Sequence, residues 1–294
     1  MPNWPARMAE WPAAFTRQSI TTPSGPAHVW SAGEGAPLRC LHGFPDTAET
    51  WLPLVDELLA AGYAVHIPVM PGYASDNGIA DYRVPALAQA LLECMDALTP
   101  ERPLRLIGHD WGAVCAYALA ALAPQRIEAM VCAAVPHLRR FLRLTPAQLK
   151  RSWYMGFFQL PRLPERKLAA RNGAFIEQLW RDWSPSWAFG EADIAPVKVA
   201  LAQPAIAHAA LAYYRALPGG LLDGQARRRL LGPCGVPTLA IAGARDGCIG
   251  PEIFADQQRY FSAGYRLEVL DEAGHFMHRE QPRAFMQAVL EHLA

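Results

Sequence analysis

The amino-acid sequence predicts an α/β protein with a mostly parallel central sheet, helices on both faces and a helical lid inserted late in the chain. Three observations predict it. Strand-like and helix-like segments alternate over residues 27–135. The alternation stops over residues 136–224, where almost only helical signals occur, rich in aromatic residues. It resumes after Gly235. Alternating strands and helices build parallel sheets covered on both faces. A helical insertion between two such strands is expected over their carboxyl ends, where ligands of open α/β sheets bind.

In chain order, residues 27–31 and 38–41 read as strands. Residues 51–61 place apolar side chains at helical spacing and stop at Gly62, a natural helix end. Residues 63–70 have a buried-strand pattern, and 84–98 are helical. A short strand, 104–107, runs into Gly108, and a helix over 113–123 is ended by Pro124. Residues 127–135 form another strand. The lid carries Trp153, Tyr154, Phe157, Phe158, Trp180, Trp183, Trp187, Tyr213 and Tyr214. Residues 217–224, with three glycines and a proline, read as the hinge back to the core. Strands over 238–242 and 266–270 then flank a helix over 252–260, and a helix over 282–293 closes the chain. The expected division is a first core part, 1–136, a helical cap, 137–224, and a second core part, 225–294.

Composition narrows the function classes. The 294 residues are 52% hydrophobic, enough for a large core without disulfide or metal staples. Lys plus Arg and Asp plus Glu each total 27, and zero net charge argues against nucleic acid as a main partner. The six cysteines lie mostly in apolar runs, with no C-x-x-C pair, and read as buried free thiols of a reducing compartment. Residues 1–15 contain no apolar stretch of signal-peptide type. The longest apolar run, 111–125, falls short of the ~20 residues of a membrane span. The expectation is a soluble, cytoplasmic protein.

The most informative stretch is Gly108-His109-Asp110-Trp111-Gly112, a G-x-D-x-G frame between a short strand and a helix of small residues. With serine at its centre, this frame is the nucleophile elbow of α/β hydrolases. Its glycines let the strand turn sharply, so the central side chain projects into a pocket, and the next N–H points at a developing oxyanion. The plainer alternative is an Asp capping the following helix. Upstream, His42-Gly43-Phe44-Pro45 follows a strand, where such folds place a second oxyanion donor, here Phe44. The plainer alternative there is a tight turn.

H-G-F-P followed by G-H-D-W-G resembles the α/β-hydrolase-fold epoxide hydrolases, and less closely the haloalkane and fluoroacetate dehalogenases. The resemblance runs from about Phe15 to the C-terminus. It implies the α/β-hydrolase fold, Asp110 as nucleophile, oxyanion N–H groups from Phe44 and Trp111, and a cis Phe44–Pro45 peptide. The partners should follow in the order nucleophile, acid, histidine. Gly243-Ala244-Arg245-Asp246-Gly247 and Asp271-Glu272-Ala273-Gly274-His275-Phe276 each follow a strand and look like the family's acid and histidine loops. This assigns Asp246 as acid and His275 as base. Asp271 and Glu272 are competing acids close to His275, and Asp246 is preferred because it follows a separate strand.

The lid carries the discriminator. Residues 153–161 resemble the first lid segment of epoxide hydrolases, with its tyrosine at Tyr154. Residues 211–215 resemble the second, whose tyrosine precedes an arginine, and this maps to Tyr214. The resemblance implies that these phenols hold and protonate the epoxide oxygen, which a ring opening to a basic alkoxide requires. Aromatic residues in helices are usually fillers, a reading that suits Tyr213, Phe157 and Phe158 better. Haloalkane dehalogenases tend to carry Asn where this chain has Phe44. Fluoroacetate dehalogenases place arginines where it has Trp111, Ala113 and Val114. One departure from the epoxide hydrolases is Met70-Pro71-Gly72-Tyr73-Ala74, where the family usually has Arg-Gly-Tyr-Gly. It reads as altered loop support without loss of activity.

The implied activity is conversion of an epoxide and water to a vicinal diol through a covalent aspartyl ester. The alternatives are a hydrolytic haloalkane or haloacid dehalogenase using the same aspartate, and a non-catalytic ligand-binding protein of the same fold. The presence of Asp110, Asp246 and His275 together speaks against the last. No cofactor is expected. His275 and His278 mimic a metal pair, but no third ligand stands near them in the sequence. Trp180, Trp183 and Trp187 read as lid core, and Arg227, Arg228 and Arg229 as a solvated helix face. The expected partners are a small-molecule epoxide and water, with neither nucleic acid nor membrane, and a homodimer is left open.

Overall fold

The structure, a computed structural model, describes residues 11–100, 102–142 and 145–294, with no side-chain description at 221 and 222. The expectation about the first fifteen residues therefore lies largely outside the described residues. The chain begins with a hairpin, β1 (Thr16–Thr22) and β2 (Gly25–Ala32). The sequence reading missed β1. It is an edge strand with mostly exposed side chains, so no buried alternation marks it. β3 (Ala36–Leu41) follows, then a 3-10 turn, Ala48–Leu54, and α1 (Val55–Ala60). The helix expected over 51–61 is thus split, with Pro53 inside the 3-10 turn. β4 (Tyr63–Pro68), α2 (Val84–Leu98), β5 (Leu104–His109), α3 (Trp111–Leu122) and β6 (Ile127–Ala133) complete the first core part.

Between β6 and the next strand lie only helices: α4 (Leu138–Phe141), α5 (Pro146–Arg151), α6 (Trp153–Phe157), α7 (Leu163–Ala169), α8 (Ala174–Trp183), α9 (Glu191–Leu201), α10 (Pro204–Leu222) and α11 (Gly224–Leu230). The expected hinge over 217–224 is instead mostly the end of α10, with Pro218 inside the helix. Proline's fixed φ is compatible with helix, and the packing of the preceding turns carries the helix through it. β7 (Thr238–Gly243), β8 (Tyr265–Leu270), α12 (Met277–Glu280) and α13 (Pro282–Leu293) return to the core. The helix expected over 252–260 is two 3-10 turns, Pro251–Phe254 and Gln258–Tyr260, separated by Asp256 at φ 55°. The buried Gln257 side chain accepts from His137 N at 2.8 Å and donates to Tyr265 Oη at 2.6 Å, and these long-range bonds override the local periodicity.

The eight strands form one sheet in the order β1-β2-β4-β3-β5-β6-β7-β8. The first two pairings are antiparallel and the rest parallel, so β3, β5, β6, β7 and β8 end at one edge. Alternation within strands splits the core in two. Ile107 and Val131 face the α1 and α13 side, with Trp51 and Phe285. Leu106 and Met130 face the α2 and α3 side, whose cluster continues into the cap through Ile176 and Trp180. Each such fully buried side chain stabilises the fold by about 1.5–3 kcal/mol. All six cysteines are buried and free. Among the described residues no single helix is long and apolar enough to cross a membrane, although the bent pair Glu191–Leu201 and Pro204–Gly220 matches such a span in length and composition.

Candidate active site

The turn from β5 into α3 sets the centre of the site. Asp110 sits there at φ 51°, ψ −118°, a conformation that costs a non-glycine residue about 1–3 kcal/mol. The turn is held by close approach. A Cβ on Gly112 would lie 2.0 Å from Leu41 O, and one on Gly43 would lie 2.5 Å from Asp110 Oδ1, so only glycine fits at either place. The Asp110 side chain makes no capping bond, so the plainer reading as a helix cap fails. Its Oδ1 instead accepts from Phe44 N at 2.7 Å. Trp111 is the first residue of α3, and an N–H there has no partner within the helix.

The Phe44 amide is held by its loop. The Phe44–Pro45 peptide is cis. Burial pulls the pKa of His42 down to about 4, so its ring is neutral. The ring donates from Nδ1 to Gly43 O at 3.2 Å and accepts at Nε2 from Met70 N at 3.1 Å. Met70 O accepts from Tyr73 N at 2.9 Å and from Asn77 Nδ2 at 3.2 Å. The Met70-Pro71 departure is thus accommodated by main-chain bonds that do not depend on the residue type at position 70.

Asp246 and His275 come from the loops after β7 and β8. Asp246 Oδ1 accepts from Cys248 N at 2.7 Å and Ile249 N at 2.9 Å, while Oδ2 accepts from His275 Nδ1 at 2.9 Å. That bond places the proton on Nδ1 and turns Nε2 toward Asp110, whose Oδ2 lies 3.7 Å away. Burial lowers the His275 pKa, but the Asp246 and Asp110 carboxylates outweigh it and lift the pKa to about 10. The competing acids point elsewhere. Asp271 and Glu272 are exposed, and Glu272 pairs with Arg245 at 2.6 Å.

The cap ties both loops together. Trp183 O accepts from Gly247 N at 3.0 Å and from His275 N at 3.1 Å. Trp180, fully buried, donates from Nε1 to Pro45 O at 2.8 Å. These contacts join residues far apart in the chain, and no local pattern announces them. Trp180, Trp183 and Trp187 all pack within the cap and against the core, Trp187 half-buried.

Tyr154 on α6 and Tyr214 on α10 share with Asp110 a cleft of about 130 Å³, open to solvent and lined mainly by apolar residues, among them Trp111, Leu138, Met155 and Leu217. Their ring centroids are 5.8 Å apart, edge to face. Burial first, with the charge of Asp110 adding to it, holds both phenols protonated far above the ordinary tyrosine pKa. Tyr154 Oη lies 3.3 Å from Cys248 Sγ. Tyr214 Oη makes no bond of strict hydrogen-bond geometry among the described residues; its polar neighbour is Trp111, whose ring meets the phenol edge to face with centroids 5.1 Å apart. Arg215 joins the two lid segments, donating to Phe158 O at 3.0 Å and Leu160 O at 2.8 Å and pairing with Glu165 at 2.6 Å. Tyr213 donates to Pro71 O at 2.7 Å, as a packing residue would.

Sequence reasoning missed Cys248 beside Tyr154, and Arg227, which is exposed but also borders the cleft. It also placed no third ligand near His275 and His278, and in space that does not hold. Asp246, Cys248 and His275 bring ligand-type atoms within 4.8 Å of one another, and so do Asp46, His109 and His278. The first group is the site itself. In the second, His278 Nε2 already bonds Thr50 Oγ1 at 2.6 Å. Burial keeps His109 and His278 neutral and pushes Asp46 up to about 7, and His109 Nε2 donates to His275 O at 2.9 Å. This second group therefore backs the histidine loop.

The fold and this constellation define an α/β hydrolase, and the comparisons agree. The α/β hydrolase fold family matches residues 36–282, and the chain belongs to it. The chain is 31% identical to YfhM of Bacillus subtilis, named an AB hydrolase superfamily protein, over 94% of this chain and 97% of that one. It is 28% identical to Epoxide hydrolase A of Mycobacterium tuberculosis over 95% of this chain and 98% of that one. A crystal structure from Klebsiella pneumoniae, described as a candidate epoxide hydrolase, superposes with a TM-score of 0.81 at 27% identity, covering 94% of this chain and 96% of that one. The chain is a hydrolase.

Proposed function

We propose that this hydrolase opens epoxides to vicinal diols through an ester on Asp110. The observation that carries this reading is the pair of buried, protonated phenols, one from each lid segment, lining the same cleft as the carboxylate. An epoxide opens to a strongly basic alkoxide and needs donors where that charge develops. The similarity to relatives named epoxide hydrolases supports the same reading.

Asp110 attacks one ring carbon, the C–O bond breaks, and the oxygen takes a proton from Tyr154 or Tyr214. Ester formation removes the Asp110 charge, so one of the two anions that lift His275 is gone. Its pKa falls, and the proton it sheds balances the one that the phenols gave. Neutral His275, oriented by Asp246, then takes a proton from water, which attacks the ester carbonyl. The N–H groups of Phe44 and Trp111 hold the oxyanion. Collapse releases the diol and restores the carboxylate and the protonated histidine. A carboxylate suits this role because its ester can be cleaved by water, whereas a serine would be left as an ether.

The test is a matched panel of small epoxides and haloalkanes, with diol and halide both measured. Diol formation should far exceed halide release. Halide release equal to or above diol release would move the assignment to the dehalogenases.

A further inference from the structure

Net charge zero conceals a segregation. Residues 138–171 hold nine Lys and Arg and one acid, Glu165, a formal charge of +8, so the rest of the chain carries −8. Glu165 is itself paired by Arg215. Lys150, Arg162, Arg166, Lys167 and Arg171 are exposed. The same stretch gathers the exposed apolar surface. Of the seven large hydrophobic residues exposed among those described, five lie in it: Leu142, Leu149, Trp153, Leu160 and Leu163. Leu149 is 55% and Trp153 46% exposed. Trp153 packs against Phe157 and Phe175, with ring centroids 6.2 and 6.3 Å away, and the Lys167 ammonium sits over the Phe157 and Phe175 rings. The patch is continuous with the catalytic cleft, because Leu142 and Met155 border it.

We infer that this face of the cap docks on an anionic lipid surface, with the mouth of the cleft turned toward the bilayer. Basic residues around exposed Trp and Leu are the chemistry of interfacial binding, apolar groups entering the headgroup region while Lys and Arg meet anionic lipid. An acidic protein or a nucleic acid would use the charges but leave the exposed Leu149, Trp153 and Leu160 without a role. The docking differs from the expectation of no membrane partner, which rested on the absence of a spanning segment, while zero net charge spoke only against nucleic acid. Neither quantity detects a charge-segregated surface. If the cleft takes epoxides, as proposed above, the docked enzyme draws them from the lipid phase.

The test is co-sedimentation of the full chain with vesicles of phosphatidylglycerol and phosphatidylcholine, against phosphatidylcholine alone. The chain should sediment with the anionic vesicles at low salt and leave them as salt rises. Lys150→Gln with Arg166→Gln should weaken binding roughly twenty-five-fold, about fivefold for each charge. Trp153→Ser with Leu160→Ser should also weaken it, while far-ultraviolet circular dichroism and turnover of a water-soluble epoxide stay unchanged. Failure to sediment with anionic vesicles at low salt, or equal binding to phosphatidylcholine alone, would overturn the docking. So would binding that ignores the Trp153 and Leu160 changes and is matched by a soluble polyanion, which would point to an acidic macromolecule. Vesicle binding is read without turnover, so docking can fail while diol formation stands, and the reverse.

Discussion

The two sides of Asp110 are built in opposite ways. On the core side the reacting groups are oriented before substrate arrives, with His275 Nε2 left unbonded, 3.7 Å from Asp110 Oδ2. Phe44 N donates to Asp110 at 2.7 Å, Asp246 accepts three bonds, and the histidine loop is fastened by Trp183 O and His109. On the cap side the two phenols are buried but poorly matched, one against a sulfur and the other beside Trp111 with no bond of good geometry. Buried hydroxyls without partners are costly, of order 1–3 kcal/mol, so their persistence needs a reason. The difference follows from what each side must do. In the proposed mechanism, the core side would act on an ester that is already attached and would gain from fixed geometry. The cap side would, in the same mechanism, receive an oxygen that arrives with the substrate, and donors already satisfied could not turn to it.

The largest effects should come from removing the core side's reacting groups, because they separate the two steps. Asp110→Ala should lose activity by roughly 10⁴-fold or more, and gain no mass with an epoxide. His275→Gln should still alkylate, since a carboxylate is ionised at neutral pH, but should not release the product. Mass spectrometry should find one substrate per chain, mapped to Asp110. An adduct on a cysteine or serine, or none while the wild type turns over, would favour direct attack by water.

Asp246→Asn comes next, with turnover expected to fall roughly 10⁴-fold through loss of the correct tautomer. Its defect should lie in ester hydrolysis, seen as a weaker build-up of the adduct than in His275→Gln. The same step should carry the pH dependence. Ester hydrolysis needs neutral His275, so its rate rises with pH through the pKa of the alkylated enzyme. That pKa lies below the resting value of about 10, because the Asp110 charge is gone. A rapid-quench series over pH that shows both steps moving together would contradict this division of labour.

Tyr154→Phe and Tyr214→Phe should each cost about a hundredfold in alkylation rate, the usual loss for one oxyanion donor. The double change should be close to inactive with the fold intact by circular dichroism. Near-wild-type turnover in the double variant would reduce the cap side to packing.

The same comparison explains what the sequence disclosed. Asp110, Asp246 and His275 stand out because each closes a strand with glycine and small residues, a local requirement of sharp turns at one sheet edge. Helices such as α2 and α13 have the predicted ends because proline and apolar spacing act within a few residues. Beyond that range the sequence falls silent. β1 is a solvent-facing edge strand with no buried period, and 252–260 is shaped by the distant partners of Gln257. Trp183 O and Ser184 Oγ hold the histidine loop from about ninety residues upstream, the latter accepting from Phe276 N at 3.2 Å. Asp46, His109 and His278 meet only when three segments fold together.

The smallest effect is expected at Cys248, and it tests whether the loose partner of Tyr154 matters. Cys248 Sγ is 3.3 Å from Tyr154 Oη, and burial pushes the thiol well above its ordinary pKa, so it stays neutral. A thiol is a weak hydrogen-bonding group, which leaves the phenol nearly free to turn toward the epoxide oxygen. Cys248→Ser puts a stronger partner in the same place and should slow single-turnover alkylation severalfold, while Cys248→Ala should leave it unchanged or slightly faster. Residues in contact couple, so the double-mutant cycle is decisive. In a Tyr154→Phe background the serine has no hydroxyl to hold, and Cys248→Ser should have no effect on alkylation. If the serine slows both backgrounds equally, Cys248 acts through packing near Asp246, and the weak partner of Tyr154 is not what keeps the cap side ready.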